Sequence, residues 1–333
     1  PHRRGRRGLR VHHPRSGRGR MSRPPDVSVI IIFLNGGVFI REAVDSVLAQ
    51  SYPDWELLQV DDGSTDDSSA YARGLSGEYP GRIRYLEHPG HENRGMSASR
   101  NLGLASARGR YVALLDADDV WLPGKLQSQV SMLDAHPEAG MLYGASLYWH
   151  SWNPTPRGQD TLMLARVRPD RIYRPPDLLP LFLTGAAMVP CPSCILVRRE
   201  AMVEVGGFES EFRTLYEDQV FFAKMALHAP ILVSNEYWIN YRLHPQSSTA
   251  GEGSGTFPDP ARIRYLDWLE RYLARSGKGR RDVRATIRHQ RWLQAHPRFA
   301  RVSMDLEIFL RRWQRRLIPW TRPHSIRMPA RSR

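Results

Sequence analysis

Residues 111–119 read YVALLDADD, and residues 57–62 read LLQVDD. Each is a short apolar run that stops at carboxylates: Asp116, Asp118 and Asp119 in the first, Asp61 and Asp62 in the second. Apolar runs of that length fit strands buried on both faces. Ligands of open α/β sheets sit beyond the carboxyl ends of the strands, so two acidic clusters at two such ends describe one site. Alternate residues of extended backbone point to the same side, so Asp116 and Asp118 present their carboxylates together. They are hard oxygen donors for Mg²⁺ or Mn²⁺, an ion commonly shared with substrate phosphates. Three acids this close repel one another unless a cation joins them.

Working outward, residues 27–33, VSVIIIF, form another buried strand, broken by Asn35-Gly36-Gly37. Ile40, Ala43, Val44, Val47 and Leu48 recur at helical spacing and predict an amphipathic helix over 39–50. Strands follow at 56–60 and 82–87, with helices over 67–75 and 95–107. The β-α-β-α-β-α-β order predicts an α/β fold, a mostly parallel Rossmann-like sheet flanked by helices. Further on, the patterns predict a helix over 122–135, a strand over 140–149, a helix from Gln219 to Leu227 and a strand over 231–238. Residues 152–178 are Pro- and Arg-rich without clear period and read as a lid or binding segment. Helices over 262–274 and 285–294 read as surface-exposed. These patterns divide the chain into a basic N-terminal segment (1–25), a main domain (26–250, with halves 26–120 and 121–250), a linker (251–260) and a helical basic extension (261–333).

The formal charge is +14 over 333 residues, but it is concentrated at the ends. Eight Arg without an acid in 1–20, and nine Arg against Asp305 and Glu307 in 301–333, leave 21–300 at −1. A nucleic-acid-binding body would carry its charge on a folded face, so no nucleic-acid partner is expected. Residues 1–20 have no apolar period and no signal-peptide core, and Met21 marks an alternative start. No run approaches the roughly 18 apolar residues of a membrane span. Leu306, Phe309, Leu310, Trp313 and Leu317 share one helical face with Arg opposite, a pattern that suits either peripheral membrane contact or a packed final helix. Cys191 and Cys194 are the only cysteines and lack a second ligand pair, which favours ordinary small residues in a reducing cytoplasm.

The series VSVIIIFLNGG (27–37), VDDGSTDDS (60–68), NRGMSASRNLGLASARGRYVALLDADD (93–119) and YEDQVFF (216–222) resembles the family 2 glycosyltransferases, whose fold is GT-A. The likeness runs from about Val27 to Ser248. It departs at Ile32-Phe33-Leu34-Asn35, where the family's first strand ends in Pro-x-Tyr-Asn, which bears on base stacking and nucleotide preference.

The resemblance implies a metal-dependent inverting transferase using a nucleotide-diphospho-sugar, with UDP expected as the nucleotide. The acceptor would be a glycan or lipid-linked glycan of a surface or exopolysaccharide, on the cytoplasmic side of the membrane. It assigns the nucleobase contact to Asp61 or Asp62, with Asp62 preferred. Arg100 would contact base or ribose, Gly95 would admit the nucleotide close to the backbone, and Asn35 would be a further contact. Asp116 would hold ribose or metal-bound water, and Asp118 the Mn²⁺ or Mg²⁺. His244 would complete the metal or diphosphate site, with Arg242 as a diphosphate contact. Asp218 would be the catalytic base, with Glu217 orienting the acceptor or serving in its place. The chemical competitors are weaker. A nucleotidyltransferase calls for a basic Gly-rich loop where FLNGGVFIRE stands, and a dehalogenase-type phosphatase needs Thr where Val120 follows Asp119.

Overall fold

The computed structural model describes residues 23–155, 158–245, 247, 258–278 and 280–299. Residues 1–22 of the basic N-terminal segment, the linker stretch 251–257 and the amphipathic run from Leu306 to Leu317 lie outside the described residues.

The first half is laid down as the apolar runs dictate. β1 (Val27–Phe33), α1 (Ile40–Leu48), β2 (Trp55–Asp61), α2 (Ser68–Glu78), β3 (Ile83–Glu87), α3 (Met96–Ser106) and β4 (Tyr111–Asp116) alternate along the chain. Every residue of β1 and β2 is buried. That is why these strands lack the polar alternation of a half-exposed sheet. Ile40, Ala43, Val44 and Val47 form the buried stripe of α1. β1 pairs in parallel with both β2 and β4, with Ile32 opposite Val60 on one side and Asp116 on the other. Both acidic strand ends are therefore level with the end of β1, two interstrand spacings or about 9–10 Å apart.

The second half is mixed. It comprises β5 (Val120–Trp121), α4 (Lys125–Ala135), β6 (Met141–Trp149), β7 (Thr161–Met163), β8 (Arg171–Tyr173), α5 (Leu178–Thr184), β9 (Leu196–Arg198), α6 (Arg199–Glu204), α7 (Glu217–His228), β10 (Ile231–Arg242), α8 (Pro260–Ser276) and α9 (Arg281–Ala295). The sheet runs β3-β2-β1-β4-β9-β6-β10-β5, with β7 on β6 and β8 on β10. β9 is antiparallel to both of its neighbours, β4 and β6. Only three residues separate β4 from β5, yet β5 pairs with β10 at the far end of the order. The sheet must curl for that pairing to close. α7 is buried almost all round, from Val220 to Leu227, and its one cation in that run, Lys224, pairs with Glu209 at 2.7 Å.

Two expectations change. Residues 152–178 are not structureless, because β7 and β8 extend the sheet from within them. Three-residue strands are too short to show a period of two. The C-terminal helices are not surface additions either. Tyr265, Leu266, Trp268, Leu269 and Leu273 of α8, with Val283 and Ile287 of α9, belong to the same buried core as β1 and β4. Trp268 stacks on Tyr272 at 5.0 Å and meets Phe212 edge-on at 6.1 Å. Many arginines on the outer faces of α8 and α9 hide that stripe from a composition-based reading. Asp259 caps α8, accepting from the backbone of Ala261 and Arg262 at 2.9 and 3.2 Å, with Pro260 at the first helical position.

If α8 is part of the core, Trp268→Ala should cost about 3–5 kcal/mol, the usual scale for emptying a buried aromatic site. Denaturant unfolding of the full chain measures this. A loss below about 1 kcal/mol would return α8 to the status of an appendage.

Candidate active site

The carboxyl ends of β1, β2 and β4 open into a cleft of about 680 Å³. Its walls include Asp62, Asp116, Asp118 and His244, and, across from the sheet, Glu217 and Asp218. Asp119 N–H donates to Asp116 O at 3.1 Å, so the DADD segment is a tight turn joining β4 to β5. The antiparallel pairing Val120↔Asn240 and Trp121↔Ile239 then draws the end of β10 back along that turn. Arg242 N–H reaches Asp119 Oδ1 at 3.0 Å, and His244 Nε2 lies 2.9 Å from Asp118 Oδ2. Residues 126 positions apart meet because one short ladder sets their register.

The three acids of the turn have different tasks. Asp119 is buried and accepts from Ser193 Oγ at 2.6 Å, while that same oxygen accepts from Asp116 N–H at 3.0 Å. Burial, with Asp118 and Asp116 nearby, pushes the Asp119 carboxyl well above its usual range. Asp119 and Ser193 thus brace the turn. Ser193 carries no sequence signal; it lies between the two cysteines, in a stretch without a chemical motif.

Arg242 also braces the turn. Its Nε donates to Asp118 O at 2.7 Å, its terminal nitrogen pairs with Glu42, and its guanidinium lies 4.6–5.0 Å from the rings of Phe39, Trp149 and Trp152. The expected contact from Arg242 to a diphosphate is replaced by this buried arrangement. An arginine side chain is long enough to fold back under its own loop when aromatic rings and a carboxylate receive it.

Asp118 and His244 are the pair placed to hold a divalent cation. Two adjacent corners of an octahedron with ligands about 2.1 Å from the ion are about 3 Å apart, close to the 2.9 Å separation here. Among the described residues no three His, Cys, Asp or Glu side chains converge on one point. The donor set fits an ion such as Mg²⁺ or Mn²⁺ that takes its remaining ligands from water and substrate phosphate. Asp116, the other expected metal contact, is turned toward Arg100 instead. His244 packs against Phe39 at 4.9 Å, and its Nδ1 is buried without a hydrogen-bond partner among the described residues.

Arg100 is the hub of the opposite wall. It is 2% exposed, and its terminal nitrogens bond Asp116 Oδ1 at 2.8 Å and Glu217 Oε1. Burial works against its charge, but Glu217 and Asp116 outweigh it and raise the guanidinium further above its ordinary value. Both terminal nitrogens are thus directed at protein carboxylates, where the resemblance implied a base or ribose. Burial pushes Glu217 well up, against the pull of Arg100 and with the help of Asp218. Burial also raises Asp218, partly offset by its interaction with the Glu217 side chain and by the hydrogen bond it accepts from the Gln219 backbone N–H. Asp218 is the less buried of the two and lines the cleft at the start of α7. The preceding residue, Tyr216, has φ +65°. It is held by a 2.8 Å hydrogen bond from its hydroxyl to Asp259 and by stacking on Tyr265 at 5.5 Å. Asp259 and Tyr265 place the C-terminal extension in the wall beside the acid pair, which the linker pattern did not suggest.

The nucleotide candidates are sorted by their hydrogen bonds. Asp61 is fully buried. Burial alone would raise its carboxyl, but hydrogen bonds from Ser69, Ser64 and Tyr85 hold it below the usual range. It ties the turn after β2, and Gly63, at φ +88°, lets that turn pass under Asn93. Asp62 faces the cleft and accepts from Arg94 N–H at 2.8 Å, Gly95 N–H at 3.0 Å and Ser99 Oγ at 2.9 Å. Gly95 has φ +87°, and a Cβ there would meet Arg213 Cβ at 2.9 Å. Its close approach is to the Arg213 segment, where the sequence suggested a nucleotide. Asn35, at the cleft mouth, uses its carbonyl to accept from Thr65 N–H at 2.8 Å. Beside it Leu34 is 48% exposed where the family pattern carries an aromatic.

Residues 28–206 match the sequence family described as glycosyl transferase family 2. The chain belongs to that family. It is a glycosyltransferase, with the α/β, GT-A architecture of its structural neighbours. An uncharacterized glycosyltransferase of Nostoc sp. is 29% identical over 274 residues, covering 80% of this chain and 81% of the relative. S. aureus TarS 1-349, solved with UDP-GlcNAc, superposes with a TM-score of 0.58 at 19% identity, covering 73% of this chain and 65% of the other. A mannosyltransferase of Pyrobaculum calidifontis, solved with GDP-Man and Mn²⁺, does so with a TM-score of 0.53 at 19% identity, covering 82% and 70%. At that identity the two structures speak to the fold. Glu217, Asp218 and His244 lie beyond the matched family segment.

Replacing Arg100 by Met should leave the buried Glu217 and the part-buried Asp116 without their cation, at a cost of about 3–5 kcal/mol near neutral pH. The sign with pH is defined. Without Arg100 the folded-state pKa values of the two acids rise further above their unfolded values, so the folded variant binds more protons than the unfolded chain. The deficit relative to the parent protein should therefore narrow as pH falls through those raised values. Urea melts at several pH values check it, and a deficit that widens toward acid pH would reject the triad as the cause.

Proposed function

We propose that the chain transfers a sugar from a nucleotide-diphospho-sugar to a hydroxyl of a glycan or lipid-linked glycan, in a single displacement with inversion. Surface or exopolysaccharide synthesis is the setting this reading favours. One observation carries the proposal: a single cleft brings the Asp118–His244 pair together with the buried Glu217–Asp218 pair on its other wall. A UDP-sugar is the favoured donor, supported by the likeness to a TarS structure solved with UDP-GlcNAc.

Asp62, on the cleft wall beside Leu34 and Asn35, is the candidate for the nucleobase contact. Its Oδ2 accepts from one backbone N–H, which leaves lone-pair capacity toward the cleft. Asp118 and His244 would hold Mn²⁺ or Mg²⁺ against the diphosphate. That ion, when bound, offsets the charge that grows on the leaving group. Asp218 removes the acceptor proton as the hydroxyl oxygen forms its bond to the anomeric carbon. The bond from that carbon to the diphosphate oxygen breaks, and the electron pair leaves with the diphosphate. Glu217, fixed by Arg100, holds Asp218 at the mouth of α7 through a hydrogen bond from the Asp218 backbone N–H.

Asp218→Asn should lower kcat by roughly 10²–10⁴-fold, the scale for losing a positioned proton acceptor, with little change in donor affinity. Since burial raises the Asp218 carboxyl above its ordinary range, and the base form is the deprotonated one, the acid limb of the pH–rate profile should lie above that of a free carboxylate. Glu217→Gln should be milder, and the reverse order would give Glu217 the base role. An α-linked donor should yield a β-linked product, and retention would overturn the single displacement.

Asp118→Asn should weaken donor binding in the presence of Mn²⁺ and leave metal-free binding as in the parent. Calorimetric titration with and without EDTA measures both. An unchanged response to Mn²⁺ would remove Asp118 from the metal site.

A further inference from the structure

We propose that the outer stripe of α9 is a docking surface for an anionic lipid membrane. None of its residues lines the cleft, so the inference stands apart from the assignment of catalytic roles. Val283 and Ile287 are buried in the core, and Gln294 accepts from Asp259 N–H at 2.8 Å, which fixes the inner face of the helix. At 3.6 residues per turn the opposite face carries Arg281, Arg288 and Trp292, and it runs on to His296 and Phe299. Trp292 is 44% and Phe299 61% exposed, two of the six large apolar side chains noted as exposed among the described residues.

These rings are ordered without being buried. His289 and His296 stack on Trp292 at 6.2 and 4.4 Å with interplanar angles of 14° and 22°, and Phe299 lies 5.4 Å from it. Residues 280–299 contain six Arg and one acid, Asp282, which pairs with Arg280. Arg281, Arg288 and Arg298 are exposed and make no ion pair with a described residue. The following residues, 301–333, add nine Arg against two acids, while 21–300 as a whole stands at −1. Within 21–300 the stretch 280–299 thus stands at +5 and the remainder at −6, so among the described residues positive charge is concentrated around the exposed rings.

That combination fits an anionic bilayer better than a nucleic acid. Bases stack on open ring faces, whereas Trp292 already has His296 stacked on it at 4.4 Å and Phe299 tilted against it at 5.4 Å. A headgroup layer asks less of ring orientation. Arg side chains meet the lipid phosphates, and Trp and Phe sit at the boundary with the acyl chains.

The test uses the full chain and sucrose-loaded vesicles of phosphatidylcholine, alone or mixed with phosphatidylglycerol. The parent should sediment with the mixed vesicles only, and added salt should release it. The double variant Trp292→Ala with Phe299→Ala should lower partitioning about tenfold. Arg281→Glu, Arg288→Glu and Arg298→Glu together should lower it about a hundredfold. Thermal melts and turnover of soluble donor should match the parent in both variants. Should the Glu variant melt early, the same three positions changed to Gln give the charge-neutral version of the test. Equal sedimentation with neutral vesicles, or full binding by both variants, would overturn the proposal. So would a parent that ignores vesicles but binds RNA in a manner lost with the three arginines.

Discussion

Arg100 is the interaction on which the candidate site depends. Its guanidinium joins the end of β4, through Asp116, to the start of α7, through Glu217. It does so from a helix whose own N-terminus is held by Asp62. Removing such a cation leaves the buried Glu217 and the part-buried Asp116 uncompensated, the costly outcome for a buried ion group. The arrangement also fixes a spacing. It sets the acid pair across the cleft from the DADD turn, so the Asp118–His244 wall and the Glu217–Asp218 wall are positioned by the same charge.

Around that hub the cleft is rich in acid. Asp62, Asp116, Asp118, Glu217, Asp218 and Asp259 all line it, against Arg100 and Arg213, and the nitrogens of Arg100 are taken up by Asp116 and Glu217. Burial raises Glu217 and Asp119, and the neighbouring carboxylates add to it. The carboxylates also make the cleft receptive to a cation. The bracing groups behind the turn, Ser193, Arg242 and its ring of Phe39, Trp149 and Trp152, keep Asp118 facing outward while like charges would drive it away.

Some of this was legible before any coordinates. The apolar runs at 27–33, 56–60 and 111–115 could only be buried parallel strands, and the acids at their ends could only share one edge of the sheet. Asp118, Glu217, Asp218 and His244 were named from motif order, and the structure brings all four to one cleft. Ser193, Tyr216 and Asp259 were not, because a hydroxyl or a cap residue has no pattern apart from its partner. Arg242 was named but misdirected. Nothing in YRLHP tells that its guanidinium folds under Asp118, since Glu42 and the three rings that receive it are distant in the chain.

By itself, the sequence determined which residues are apolar in series, where those series stop, and hence the strands, the helices and the chemistry at the strand ends. These are local properties, set by side-chain periodicity and by the burial that periodicity demands. Only the tertiary structure decided what each polar group faces. The curl that lets β5 pair with β10 delivers His244 to Asp118, and the packing of α8 on Tyr216 makes the C-terminal extension part of the site wall. Hydrogen bonds and ion pairs are short-ranged and directional, so their partners are settled by register and packing across the whole chain, which no local stretch of residues contains.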